Sequence, residues 1–166
     1  MGFERPAPTF SIRVSGETVE FSMNRPSSTV SPREILKKYK TIAVVGASKN
    51  PTKDANSVPQ FMKDHGYKII PINPAADKIV EEKVYPSLAD IPANIASTVD
   101  IVDVFRPSEE LPEVALQVIE MHRRSGRPFV FWAQLGLESE EAKRVLSENK
   151  IPYIMNSCLR VVQKSL

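Results

Sequence analysis

Cys158 is the chain's single cysteine, and its thiol is the strongest nucleophile the sequence offers. A free cysteine is most often a small buried hydrophobe. Beside a cation such as Arg160, or at a helix end, it becomes a thiolate that exchanges with disulfides. One cysteine excludes an internal disulfide framework and a multi-cysteine zinc site. A second chemistry lies in Val45-Gly46-Ala47-Ser48-Lys49-Asn50-Pro51-Thr52-Lys53. Gly46 lets backbone approach a ligand closely, and Ser48 adds a hydroxyl donor. Lys49 and Lys53 add positive charge. The helix that follows, starting at Asn56, turns its N–H groups and positive dipole end toward a phosphate. Asp100 and Asp103, three apart on a strand, point to opposite faces and make no acid–base pair. Asp103 reads as a buried, hydrogen-bonded carboxylate that organises loops. His65 and His122 sit on helix faces and read as structural or surface residues. No catalytic residue and no metal-ligand set is assigned.

These groups need elements to position them. Phe10, Ile12 and Val14 alternate with polar residues, as do Val19, Phe21 and Met23. Ser15-Gly16-Glu17 between them predicts a β-hairpin. Residues 24–28 read as a linker, so 1–30 form an N-terminal extension and 31–166 the main domain. Ser31, Pro32 and Glu34 mark the start of a helix over 32–39. From Thr41 onward strands and helices alternate. The strands are expected at 42–46, 67–72, 99–105, 128–133 and 152–156. The helices are expected at 56–65, 111–125 and 138–149, with 87–91 a short irregular or helical piece. Pro59 is expected in the first turn of its helix, where a proline is tolerated. Trp132 reads as core. This alternation predicts an α/β fold: a three-layer, doubly wound, mainly parallel five-stranded sheet of order 3-2-1-4-5. Such sheets bind ligands beyond their strand C-termini. Candidate residues therefore follow the strands: Gly46-Ala47-Ser48, Asn73-Pro74, Phe105-Arg106, Gln134 and Asn156-Ser157-Cys158.

The chain has 166 residues, 42% hydrophobic and 25% charged. That suffices for one domain with a real core and excludes a disordered, collagenous or coiled-coil chain. A net charge of +2 gives no polyelectrolyte signal, so nucleic acid is not an expected partner. The slight basicity belongs to residues 1–40, which hold seven Lys/Arg and four Asp/Glu. No apolar run approaches the ~20 residues that span a bilayer. Glu4, Glu17 and Glu20 disfavour a transit peptide, and no signal-peptide pattern precedes them. A cytoplasmic protein without membrane contact is expected, its thiol kept reduced.

The first turn lacks both GxGxxG and GxxxxGK[ST]. The second strand ends in Asn73-Pro74, where an NAD enzyme places a carboxylate for the ribose. An adenosine bearing an extra phosphate suits such a site better, and NADP and coenzyme A both qualify. Six segments then recur in order: Ile42-Ala43-Val44-Val45-Gly46-Ala47-Ser48, Gly66-Tyr67-Lys68-Ile69-Ile70-Pro71-Ile72-Asn73-Pro74, Tyr85-Pro86-Ser87-Leu88, Val99 to Arg106, Trp132-Ala133-Gln134-Leu135-Gly136, and Asn156-Ser157-Cys158. Over about Thr41 to Val162 the chain resembles the small stand-alone CoA-binding domain proteins, similar in fold to the CoA-binding domain of the succinyl-CoA ligase α subunit.

The resemblance implies a Rossmann-like fold that binds coenzyme A or an acyl-CoA. The pyrophosphate would lie over Gly46, Ala47 and Ser48 and the helix start, with Lys53 and Asn56 beside it. The adenosine end would reach Asn73, Pro74, Phe105 and Arg106. Lys53 and Arg106 would meet phosphate charge. The pantetheine arm would run toward Gln134, Asn156 and Cys158. This chain has no room for the ligase's phosphohistidine domain and no ATP-grasp partner, so a carrier, sensor or partner module without catalysis of its own is expected. An NAD(P)-binding oxidoreductase-like protein is one alternative. A redox or interaction protein using Cys158, as a mixed disulfide with CoA, is another. The sheet edge or the N-terminal hairpin could support a homodimer or contact with another protein.

Overall fold

The computed structural model describes residues 9–14, 16–22 and 31–166. The expected hairpin forms from β1 (Thr9–Val14) and β2 (Glu17–Ser22), which pair Phe10 with Phe21 and Ile12 with Val19. Met23 and the expected linker 24–28 lie outside the described residues. The helix α1 (Pro32–Lys38) starts where its signals stand: the Ser31 hydroxyl accepts the Glu34 N–H at 3.3 Å.

Next come β3 (Thr41–Val45), α2 (Asp54–Asp64) and β4 (Lys68–Ile72). A small antiparallel pair follows, β5 (Lys78–Ile79) and β6 (Glu82–Lys83), which sequence patterning did not anticipate. A single turn of 3-10 helix at Leu88–Asp90 and the short α3 (Ala93–Ala96) lead to β7 (Ile101–Val104). The remaining elements are α4 (Leu111–Ser125), β8 (Val130–Ala133), α5 (Glu140–Glu148), β9 (Tyr153–Ile154) and α6 (Leu159–Lys164). The helix α6 was also not expected.

Five strands form one parallel sheet in the order β4-β3-β7-β8-β9. Counted over these five, the order is 2-1-3-4-5, which corrects the expected 3-2-1-4-5. Proline chemistry supplies the reason. Pro71 sits inside β4 and has no N–H to donate, so β4 belongs at an edge. Its carbonyl faces outward and accepts the Tyr85 N–H at 3.1 Å. A central β4 would leave that outer side without a ladder donor. The strand β7, expected at the edge, lies at the centre, and all four of its residues are fully buried.

Alternate strand residues feed two cores. Val45, Ile70, Ile72, Val102, Val104 and Phe131 pack toward α4 and α5. Ile42, Val44, Ile69, Ile101, Val130 and Trp132 pack toward α1, α2 and α6. Each such fully buried aliphatic or aromatic side chain contributes about 1.5–3 kcal/mol of transfer free energy. The result is a three-layer, doubly wound Rossmann-like fold. The sheet grows in both directions from β3, so its crevice opens between the carboxyl ends of β3 and β7. No helix among the described residues is long and apolar enough to cross a membrane.

Candidate functional site

The first turn is tied down from within. Gly46 adopts φ +82°, a left-handed conformation that glycine enters without steric cost. The α2 helix begins at Asp54, so Pro59 lies inside it rather than in its first turn. A proline there frees the carbonyl four residues back, that of Ala55. The Ser48 N–H takes up that carbonyl at 3.1 Å. Asn56 Nδ2 donates to the Ser48 carbonyl at 2.7 Å, and Asn73 Nδ2 donates to the Ala47 carbonyl at 2.9 Å. Three links thus brace residues 47–48, while the N–H groups of Ala47 and Lys49 donate to no acceptor among the described residues. In Pro59→Ala the new N–H competes for Ala55. Amide exchange of Ser48 is expected to speed up about tenfold while the melting temperature holds or rises. Unchanged Ser48 protection would show that the freed carbonyl does not hold the turn.

Two concavities lie along the strand ends. The first, about 320 Å³, is lined by Gly46, Asn73, Pro74, Ser87, Arg106 and Glu110. The second, about 510 Å³, is lined by Phe105, Arg106, Gln134, Cys158 and Arg160, with Leu135 and Val161 at its lip. Arg106 lines both. Its guanidinium is half-exposed and meets the Glu110 carboxylate at 2.9 Å, four residues on.

Beneath the second cavity, Gln134 Nε2 donates to Asp103 Oδ1 at 2.7 Å. Asp103 is fully buried, and its Oδ2 has no hydrogen-bond partner. Burial raises its carboxyl from the ordinary 3.8 to about 8, and the hydrogen bonds from Gln134 and the Val104 N–H oppose this only partly. The group is therefore a neutral acid at pH 7. Trp132 is core, as expected, and its indole N–H donates to the Ser157 carbonyl at 2.8 Å.

The structure sorts the expected site residues into two sets. Gly46, Asn73, Pro74, Phe105, Arg106, Gln134 and Cys158 line the two concavities. Ala47, Ser48, Asn56 and Asn156 line neither; they brace loops. Asn156 Oδ1 accepts the Gly136 N–H at 2.7 Å and so holds the turn after β8. Lys53 is exposed at the N-cap of α2. Arg160 lies 3.8 Å from Asp54 and 3.5 Å from Ser57 Oγ. His65 and His122 contact backbone carbonyls of Phe61 and Pro128, away from both concavities. At the other end of the sheet Asp100 accepts Arg127 at 2.6 Å and the Lys40 and Thr41 N–H groups. Glu110, Ser87, Leu135 and Val161 also line the two concavities and were not among the candidates. Ser87 and Leu135 lie in the segments that carry the resemblance, and Glu110 had its i,i+4 spacing from Arg106 as a signal; Val161 had none.

A doubly wound parallel sheet with its clefts beyond the strand C-termini defines a Rossmann-like α/β domain. The chain belongs to the CoA binding domain family, whose model matches residues 40–164. It is 44% identical over 129 residues to the uncharacterized protein YneT of Bacillus subtilis, covering 78% of this chain and 89% of that one. It is 42% identical over 77 residues to acetate–CoA ligase (ADP-forming) II of Archaeoglobus fulgidus, covering 45% of this chain and 11% of the ligase. A solved hypothetical protein of Pyrococcus horikoshii is similar at TM-score 0.74 and 32% identity, covering 86% of this chain and 96% of that one. The Thermus thermophilus protein cell-free ID.343 matches at TM-score 0.71 and 35% identity, over 80% and 94% of the two chains.

Proposed function

We propose that this chain binds coenzyme A or its thioester along the strand ends, as a carrier, sensor or partner module without catalysis of its own. In this reading residues 31–166 form the binding domain and residues 1–30 an extension outside it. The observation that carries the reading is the pair of concavities that share Arg106. A long ligand with a nucleotide at one end and an arm at the other suits two neighbouring clefts. The pyrophosphate lies over the turn at Gly46, where the Ala47 and Lys49 N–H groups have no acceptor among the described residues. The adenosine end occupies the cleft at Asn73 and Pro74. The pantetheine arm passes Arg106 toward Gln134 and Cys158. Lys53 and Arg106 meet the phosphates, and Arg106 exchanges Glu110 for phosphate when it does so.

Calorimetry with CoA, dephospho-CoA and NADP tests this. CoA is expected to bind about tenfold tighter than dephospho-CoA, the worth of one charge-assisted contact. Arg106→Ala is expected to erase the difference and Glu110→Gln to widen it. Preference for NADP, or no binding of any of the three, would overturn the proposal.

A further inference from the structure

We propose that the cavity under Leu135 and Val161 takes an uncharged linear acyl group, so that this chain holds an acyl thioester of CoA in preference to the free thiol. The inference rests on the CoA reading above. Leu135 is 70% and Val161 62% exposed, and both border the same concavity. Single exposed hydrophobics are ordinary. Two on the lip of one cavity, with apolar side chains continuing inward, make a site for an apolar ligand. Val58, Phe105 and Leu137 supply that inner wall. Val58 is 1% exposed, and Phe105 and Leu137 pack against the two cores.

Position and charge narrow the occupant. The cavity shares Arg106 with the cleft at Asn73 and Pro74, and Cys158 and Gln134 lie on its wall. A thioester carried on the pantetheine arm therefore arrives beside the apolar wall. In the CoA reading Arg106 is taken by a phosphate, and the other guanidinium on the rim, that of Arg160, faces Asp54 at 3.8 Å. Neither is set aside for a carboxylate on the acyl chain. A neutral chain fits this wall, and a dicarboxylic one does not. The whole cavity, about 510 Å³, lies within the usual range for small-molecule sites of about 300–1,000 Å³. The arm shares that space, so the acyl chain is short to medium in length.

Calorimetry on the full chain with CoA and its acetyl, butyryl, hexanoyl and succinyl thioesters tests the inference. Affinity is expected to rise about threefold to fourfold per methylene from acetyl to hexanoyl. Succinyl-CoA is expected to bind no tighter than CoA. Leu135→Asp and Val161→Asp alter exposed side chains, so the fold is expected to hold, and within each variant the ratio of hexanoyl-CoA to CoA affinity is expected to fall to about one. Tight CoA binding with a flat acyl series would overturn this inference and leave the CoA reading intact. A flat series together with a Leu135→Asp variant that lowers the sedimenting mass would assign the lip to a second copy, also against the inference. No binding of CoA or any thioester would overturn both.

Discussion

Gly46→Ala is expected to lower the unfolding free energy by about 2–4 kcal/mol, combining the left-handed backbone penalty with overpacking. It is also expected to abolish detectable CoA binding. A methyl group at this position would sit 2.9 Å from the Phe105 carbonyl oxygen and 2.9 Å from Arg106 Cδ. The arginine can swing aside, but the carbonyl cannot. The Phe105 backbone is fixed by its own N–H, which donates to the Val45 carbonyl at 2.9 Å. Relief must therefore come from moving the Gly46 turn away from β7, and that turn is where the pyrophosphate is proposed to lie. Gly66→Ala is the control. Gly66 has φ +92° with nothing within 4 Å of the added carbon, so only the backbone penalty of about 1–2 kcal/mol applies. Urea denaturation of both variants separates the two contributions. Equal losses would show that the contact at Gly46 is relieved at no cost.

Asp103→Asn is expected to flatten the pH dependence of stability between pH 5 and 8. The direction is unusual for an aspartate. The folded group titrates near 8 and the unfolded one near its ordinary 3.8. Between these values the folded state keeps a proton that the unfolded chain has released. Stability therefore falls as pH rises through this window, with a slope of up to about 1.4 kcal/mol per pH unit, and levels off above it. Asparagine has nearly the same shape, stays neutral, and can still accept from Gln134 through its side-chain oxygen. Its new N–H group takes the place of the unpartnered Oδ2 and costs about 1–3 kcal/mol unpaired. The net expectation is a variant about 2–4 kcal/mol more stable than the wild-type chain at pH 8, with the advantage shrinking toward pH 5. Parallel stability profiles for the two proteins across this range would refute a buried neutral acid.

The elements that were readable in advance carried their signals locally. The α4 helix begins and ends where expected because acidic residues precede it, basic ones close it and Gly126 caps it at φ +72°. The strands were found from continuous apolar runs, since parallel strands are covered on both faces. The β5–β6 pair was missed because each strand has two residues and its turn uses Val80 and Glu81 at positive φ, without glycine or asparagine to announce it. The start of α2 was missed because Lys53 gives no side-chain cap. Strand order was misjudged although Pro71 carried the clue. At the site, glycine and the strand-end positions were legible. The bracing roles of Asn56 and Asn73 were not, because each depends on a loop brought close only by the folded sheet.

Pro71 and Tyr85 also bear on how two such chains can meet. Tyr85 lies along the outside of β4, bridged to Ile72, and it accepts the Asn73 N–H at 3.0 Å as well as donating to Pro71. At Pro71 and Asn73 the backbone groups that a foreign strand would need are thus occupied or missing. On the opposite side β9 offers only two residues, too few to template a lasting ladder. Strand addition to this sheet is thus obstructed at the carboxyl half of one flank and given little length on the other, which works against cross-molecule sheet growth when many copies crowd together.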